Sequence, residues 1–321
     1  MASSVAATFV MPHYADASRS GEYLDRTLES LHAQTDQDWQ LAIIDDASPD
    51  SRDRERLQKL QKLHPDRIFV IQQDVNRGQG FCRNVGVRWA WRRGSRFVLF
   101  QDADDIAHPR RLEVTRRTFE ERPDVDFVYS TFSVVDEYGN DVPHSRLTPS
   151  LQEIVQSHQD HPVEGPEAWI RMGVDTGYTT LTSTVAVHTE LAMSHPFPHV
   201  RASEDAHAWL RMSAGGTSLA YLPSIPCQYR VPQGTGGSSD RNRIGADYYQ
   251  RKAEVDTDGF FEAVSISLQR QTIQPGEARD LKGAFLRRLA LTMEGEGQHA
   301  LAETILNMID QLGAGNQLTS P

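Results

Sequence analysis

The sequence predicts an α/β fold: a mostly parallel, Rossmann-like sheet flanked by helices, with a C-terminal helical appendage. Three observations carry that expectation. Short apolar runs alternate with amphipathic helical segments through the first 135 residues, the rhythm of strands joined by helical crossovers. Two of those runs end abruptly in acid, at Asp45-Asp46 and at Asp102-Ala103-Asp104-Asp105. Unpaired charge is too costly to bury, so these acids belong at the carboxyl ends of strands, where such sheets open a ligand crevice. Finally, no Gly-rich turn follows the first strand, which removes most support for a dinucleotide-binding hydride-transfer enzyme.

Taken in order, Val5 to Met11 reads as a buried strand stopped by Pro12-His13-Tyr14. Leu24, Leu28 and Leu31 recur at i, i+4 and i+7, so Glu22 to Ala33 is expected to be an amphipathic helix. Trp39 to Ile44 is the second strand, and Leu57, Leu60 and Leu63 mark a charged surface helix. Ile68 to Ile71 is the third strand, followed by Asn76-Arg77-Gly78-Gln79-Gly80 and a helix with Phe81, Val85 and Trp89 along one stripe. Phe97 to Phe100 is the fourth strand, four apolar residues suited to burial on both faces. A helix beginning at Pro109, with Leu112, Thr115 and Phe119 inward, leads to strands at Asp126 to Thr131 and Ser133 to Val135.

Beyond that point the pattern weakens. Gly139 to Gly165 is polar and reads as a long, mobile loop. Trp169 and Met172 suggest a short helix, Leu181 to Val187 a strand, and Ser203 a cap for a helix opening on Glu204-Asp205. Tyr221-Leu222 and Cys227 to Tyr229 are expected to be short strands, and Gly234 to Ser239 a flexible turn. From Ala246 the chain reads helical, with Phe260 and Val264, then Leu281, Phe285 and Leu289, then Leu301, Ile305, Met308 and Leu312 as inward stripes. This tail shows no catalytic constellation, so it is expected to pack on the main domain or on a second copy in a homodimer.

Composition narrows the function. Lys and Arg number 33 against 44 Asp and Glu, a net charge of −11 without any basic block, which argues against nucleic-acid binding. The two cysteines, Cys82 and Cys227, lack metal-ligand spacing and fit a reducing cytoplasm. No apolar run is long enough to span a bilayer.

Asp102 and Asp104 are two apart on extended backbone, so both carboxylates can point to one side, as a divalent cation would require. By itself the stretch fits equally a solvated turn before a helix. Likewise, Glu204 and Asp205 are acids in the first turn of a helix, where its dipole favours them whether or not they do chemistry.

Taken together the segments resemble the family 2 glycosyltransferases with the GT-A fold, over about residues 5 to 240. Pro12-His13-Tyr14 stands at the family's Pro-x-Tyr, and Asp45-Asp46-Ala47-Ser48 at its Asp-Asp-x-Ser. Asn76-Arg77-Gly78 with Arg83-Asn84-Val85-Gly86 matches Asn-x-Gly and Ala-Arg-Asn-x-Gly, Cys82 replacing the Ala. Asp102-Ala103-Asp104-Asp105 matches the metal-binding Asp-x-Asp, and Glu204-Asp205 with Trp209-Leu210-Arg211 the segment bearing the base. One departure is Pro232, where the family often has a His that helps hold metal or pyrophosphate.

The resemblance implies a donor-binding half at 1–135, an acceptor-binding and base-bearing half at 136–240 and a helical region at 241–321. It implies an inverting, metal-dependent glycosyltransferase acting on a nucleotide-diphospho-sugar, UDP-sugar favoured, and a small-molecule or glycan acceptor. Asp104 would coordinate Mn²⁺ or Mg²⁺, with Asp102 bridging the cation or the ribose. Pro12, Tyr14, Asp46, Arg83 and Ala103 would line the donor, Tyr14 stacking on the base and Asp46 accepting from a uracil imide. Arg83 would contact the pyrophosphate or orient Asp46, unless it only forms a surface ion pair. Asp205 would be the general base, and Glu204 would line the sugar or serve the helix cap. His207, two positions past Asp205, faces elsewhere on a helix and reads as structural. Two alternatives stand beside this: a sugar nucleotidyltransferase, which would want a Gly-rich basic loop that Pro12 to Ser20 lacks, and a non-catalytic nucleotide-sugar binding or scaffolding protein.

Overall fold

A computed structural model describes residues 7–15, 22–177, 179–232 and 244–314. Seven strands form one mixed sheet in the order β3-β2-β1-β4-β6-β5-β7. These are β1 (Ala7–His13), β2 (Trp39–Asp45), β3 (Ile68–Gln72), β4 (Phe97–Phe100), β5 (Phe127–Val135), β6 (Ala186–His188) and β7 (Leu219–Arg230). The half built from β1, β2, β3 and β4 is parallel throughout. The short β6 runs antiparallel to both β4 and β5, and β7 is parallel to β5. Helices α1 (Glu22–His32), α2 (Ser51–Leu63), α3 (Gln79–Arg92) and α4 (Arg111–Glu121) are the crossovers of the first half. Chain order reverses between β1 and β4, so the crevice expected at their carboxyl ends lies where Tyr14 and Asp102 emerge.

Strand alternation sorts the apolar residues onto two faces. Phe9, Met11, Leu41, Ile43 and Leu99 pack with Leu24, Leu28 and Leu31 of α1, Leu57 of α2, and Leu112 and Phe119 of α4. Val10, Ala42, Ile44, Val98 and Phe100 face the other way, toward Cys82, Val87 and Ala90 of α3. That second core continues into α6 (Ala168–Arg171), α7 (Thr189–Ser194), α8 (Glu204–Gly215) and the C-terminal helices α9 (Tyr248–Gln269), α10 (Pro275–Gly295) and α11 (His299–Ala314). Phe260 of α9 stacks on Phe285 of α10 with ring centroids 4.4 Å apart and lies 5.5 Å from the Trp169 ring. The C-terminal helices therefore share the main core.

Several sequence expectations need correction. The segment from Gly139 to Gly165 is not a structureless loop: it holds a short 3-10 turn at His144–Arg146 and helix α5 (Pro149–Asp160). Thr148 caps α5 at Leu151 N, proline occupies its first turn, and Ile154 and His158 bury the inward stripe. The pairs of short strands expected on either side of Phe132 and of Pro223–Pro226 are each one continuous strand, with an irregularity between Ser130 and Phe132. Within Leu181 to Val187, Thr182–Thr184 form a 3-10 turn, and only Ala186 and Val187 join β6. On α3 the buried face is Cys82, Arg83, Gly86, Val87 and Ala90, while the expected stripe of Phe81, Val85 and Trp89 is only half-buried. Helix α4 starts at Arg111, two residues after Pro109, and of the leucines on α2 only Leu57 is fully buried. The turn expected at Gly234 to Ser239 lies outside the described residues. No described helix is long and apolar enough to cross a membrane.

Candidate active site

The acidic end of β4 is held open by buried polar ties. Arg111, fully buried on α4, donates to the Phe100 and Val185 carbonyls and to Gln101 Oε1, and burial pulls its guanidinium down to about 10. With the strand end fixed, Asp102 N–H donates to Ser183 Oγ at 2.9 Å, and the Asp102 side chain stays 29% exposed. Asp104 is half-buried, and its carbonyl accepts from Arg230 Nε at 2.9 Å. Ala103 is half-buried beside it, its carbonyl accepting from Thr27.

Asp105 points inward. Its Oδ1 accepts from Arg230 N–H, while burial, then the Asp104 and Asp102 carboxylates, push its carboxyl well above the usual range. Arg230 also donates to the Asp136 carbonyl and lies over the Tyr23 ring. It thus clamps the Asp-rich turn to the end of β5. The Tyr229-Arg230 pair is visible in the sequence, but the clamp depends on β7 running beside β5.

Arg83 joins this turn to the start of α8. Its guanidinium, 1% exposed, donates from Nη2 to Asp102 Oδ1 at 3.0 Å and from Nη1 to Glu204 Oε1 at 2.7 Å. Burial opposes the charge, but Asp102, Glu204 and Asp205 outweigh it and raise the guanidinium above its ordinary range. Arg83 is therefore neither a surface ion pair nor the partner of Asp46. Glu204 is itself buried and also accepts from Gln79 Nε2 at 2.6 Å. Asp205 is half-buried, its Oδ1 accepting from Ala206 N–H at 2.9 Å and its Oδ2 lying 3.5 Å from the Thr182 hydroxyl.

Ser203 occupies the cap position, but its side chain caps nothing: its backbone is left-handed at φ 57°, and its hydroxyl turns to Asp256 of α9. The contributions of Thr182 and Ser183 escape the sequence reading. Their signal was polarity, since three hydroxyl residues in a row do not suit a buried strand.

At the ends of β1 and β2, Tyr14 is 39% exposed and Pro12 half-buried. Left-handed Ala47 turns the chain so that Asp45 accepts from Ser48 N–H and Oγ. Asp46 is 4% exposed, with Oδ1 on Arg77 N–H and Oδ2 on Gly78 N–H, both at 2.8 Å. Its carboxylate anchors the 76–78 turn. Burial, then Asp46, pushes the Cys82 thiol up, so this cysteine is an inert filler.

Away from the cleft, His207, Asp258 and Glu262 gather within metal-binding range. Arg211 Nε donates to His207 Nδ1, which leaves the proton of the neutral ring on Nε2 facing Asp258, and Arg211 also pairs with Glu262. That arrangement suits a structural histidine and not a metal ligand. An open groove of about 690 Å³, lined by Glu153, Asp175, Arg287 and Arg288, lies against α10 and includes none of the residues singled out above.

Residues 8–179 match the family model described as Glycosyl transferase family 2. An uncharacterized glycosyltransferase of Methanocaldococcus jannaschii is 35% identical over 119 residues, 37% of this chain and 40% of that protein. The first relatives of this kind are thus matched over 34–40% of their own length. A UDP-Glc:alpha-D-GlcNAc-diphosphoundecaprenol beta-1,3-glucosyltransferase of Escherichia coli, WfgD, is 25% identical over 72% of this chain and 79% of its own. Among solved structures, S. aureus TarS 1-349 in complex with UDP superposes with a TM-score of 0.57 at 18% identity, covering 95% of this chain and 91% of that one. The mannosyltransferase PcManGT from Pyrobaculum calidifontis, in complex with GDP-Man and Mn²⁺, gives 0.53 at 16% identity, covering 98% and 88%.

Proposed function

Because the chain belongs to glycosyl transferase family 2, we propose that it catalyses an inverting, metal-dependent transfer of a sugar from a nucleotide-diphospho-sugar, UDP-sugar favoured, to an acceptor hydroxyl. The observation that carries this reading is the Arg83 bridge, which ties Asp102 to Glu204 and so sets the acids of β4 beside the first turn of α8. An enzyme that breaks one bond and deprotonates an acceptor needs those two groups in one cleft.

Asp104 and Asp102 are hard oxygen donors on one half-exposed turn, and their charge already weighs on Asp105, so the donor set fits a divalent cation. Bound Mn²⁺ or Mg²⁺ would supply positive charge to the departing diphosphate. The Mn²⁺ in the mannosyltransferase neighbour supports that assignment. Tyr14 offers an exposed ring for the base to stack on, and Pro12 and Ala103 would line the donor. Asp46, which holds the 76–78 turn through both carboxylate oxygens, would accept from a uracil imide. On the opposite side Asp205 takes the acceptor proton as the new bond forms, a role that requires only hydrogen-bond reach. Arg83 and Glu204 hold the two halves in register. Cys82 and Cys227, both free thiols, suit work in a reducing compartment such as the cytoplasm.

The test is a panel of nucleotide sugars titrated by calorimetry with and without Mn²⁺, followed by turnover of whichever binds. Asp104→Ala is expected to remove the metal-dependent part of donor binding. Asp205→Asn is expected to keep donor affinity and lose turnover by a factor on the order of 10² or more. Near-wild-type turnover of Asp205→Asn would move the base elsewhere, and donor affinity indifferent to metal would refute the metal assignment.

A further inference from the structure

Nothing in the sequence ties the C-terminal helices to chemistry, yet α9 grips the residue just before Glu204-Asp205. A serine at a helix N-cap ordinarily has extended backbone and accepts a hydrogen bond from the second or third amide of the helix. Ser203 does neither: it is left-handed at φ 57°, ψ 20°, and makes no cap bond. Its Oγ donates to Asp256 Oδ1 at 2.5 Å and accepts from Lys252 Nζ at 3.3 Å, and Lys252 Nζ donates to Asp256 Oδ2 at 2.5 Å. The third amide of α8 is Ala206 N–H, and it is taken by Asp205 Oδ1 at 2.9 Å. The Ser203 hydroxyl and the Asp205 carboxylate are therefore rivals for one donor.

We propose that the Lys252–Asp256 pair is a positioning device for Asp205: by drawing the Ser203 hydroxyl toward α9 it withholds the ordinary cap and leaves Ala206 N–H to the carboxylate that acts as base. This rests on the reading of Asp205 given above. Three features support it. A left-handed serine is strained and persists only where its surroundings over-determine it, and the two bonds that Ser203 Oγ makes to α9, with Asp256 and with Lys252, do that here. The docking is close at this point, since a Cβ on Gly259 would lie 2.7 Å from His207 Cα, so α9 has little freedom to drift from α8. Burial disfavours the Lys252 ammonium, but Asp256, and beyond it Asp205, hold it charged. Lys252 and Asp256 lie outside residues 8–179, the part of the chain that matches the family model. The device belongs to the C-terminal helices.

The test compares Asp256→Ala with the double variant Asp256→Ala/Ser203→Gly in the full chain. Freed from Asp256, the Ser203 hydroxyl turns to cap Ala206 N–H and displaces Asp205, so kcat is expected to fall at least about tenfold with donor KM unchanged. The double variant is expected to recover to within about threefold of wild type, because glycine brings no competing hydroxyl and adopts the left-handed backbone freely. Any loss of folding stability from removing Asp256 is common to both proteins, so the rescue separates positioning from stability. In parallel, the Ala206 amide proton is followed by NMR across the carboxylate titration. Its pH response is expected in the wild type, absent in Asp205→Asn and Asp256→Ala, and restored in the double variant. An Asp256→Ala protein with wild-type kcat, a double variant no faster than the single, or an unchanged Ala206 response would each overturn the proposal. A wild type that turns over no nucleotide sugar would instead refute the functional reading, and the amide measurement would still decide the arrangement at α8.

Discussion

Arg83 shows what a single residue contributes to this site. Its guanidinium and the Glu204 carboxylate are each 1% exposed, so neither charge has water to fall back on. Replacing one partner of such a pair strands the other, which costs about 3–5 kcal/mol. Arg83→Met is accordingly expected to destabilise the protein by about that much, read as a lowered urea midpoint with an unchanged denaturant slope. A surface ion pair would give less than about 1 kcal/mol, and such a result would place Arg83 outside the core. The acids of the candidate site were legible in the sequence as candidates, since Asp102, Asp104, Glu204 and Asp205 stand where apolar runs or helix starts meet charge. The burial of Arg83 was not, because its partners lie 19 and 121 positions away and only the fold joins them. Asp46 stood out in the sequence as a candidate, yet its bonds to Arg77 and Gly78 depend on how the turn after β3 folds back.

At the scale of elements, the parallel half of the sheet was readable because each strand is a short apolar run and each crossover a helix of clear period. The second half was not. Pro223 and Pro226 read as breaks, but β7 is the edge strand, where a missing N–H goes unnoticed, so the strand runs through them. Helix α5 hid because Leu151, Ile154, Val155 and His158 form a thin apolar stripe among polar residues. Helix α3 carries Arg83 and sits close on the sheet at Gly86, where a Cβ would come within 2.4 Å of Val10 Cγ1 and 2.9 Å of Ile44 Cδ1. Both neighbours are buried strand residues, so they cannot swing aside. Gly86→Ala is expected to destabilise by about 1–3 kcal/mol, outweighing the gain in helix propensity, and to weaken donor binding by displacing Arg83. Thermal unfolding and calorimetry together check this, and a more stable variant with intact donor affinity would refute it.

For the whole molecule, one core joins the sheet, α8 and the C-terminal helices, and several histidines are packed into the structure without their charge. His158 is enclosed by the rings of Tyr129, Phe132 and Tyr221 and faces the Thr179 carbonyl at 2.7 Å. Burial lowers His158, and burial followed by Arg211 lowers His207, with His195 brought down to about 4 by burial, Arg211 and Arg270. His188 is lowered chiefly by burial as well. The sign follows from linkage. A histidine whose folded value lies below its unfolded value of about 6.5 binds protons more readily in the unfolded chain, so stability is full above that pH and is lost as pH falls toward the folded value. These imidazoles therefore make stability fall as pH drops from about 6.5 toward about 4, each taking up a proton on unfolding, while Asp105, whose raised carboxyl releases its proton on unfolding, works against them. Urea midpoints across that range measure it, and His158→Gln, which keeps a donor for Thr179 without a titrating ring, is expected to flatten the slope even if it lowers stability at pH 7. A slope unchanged by His158→Gln would mean that this imidazole reaches water, and the packing around His158 would have to be looser than the ring contacts require.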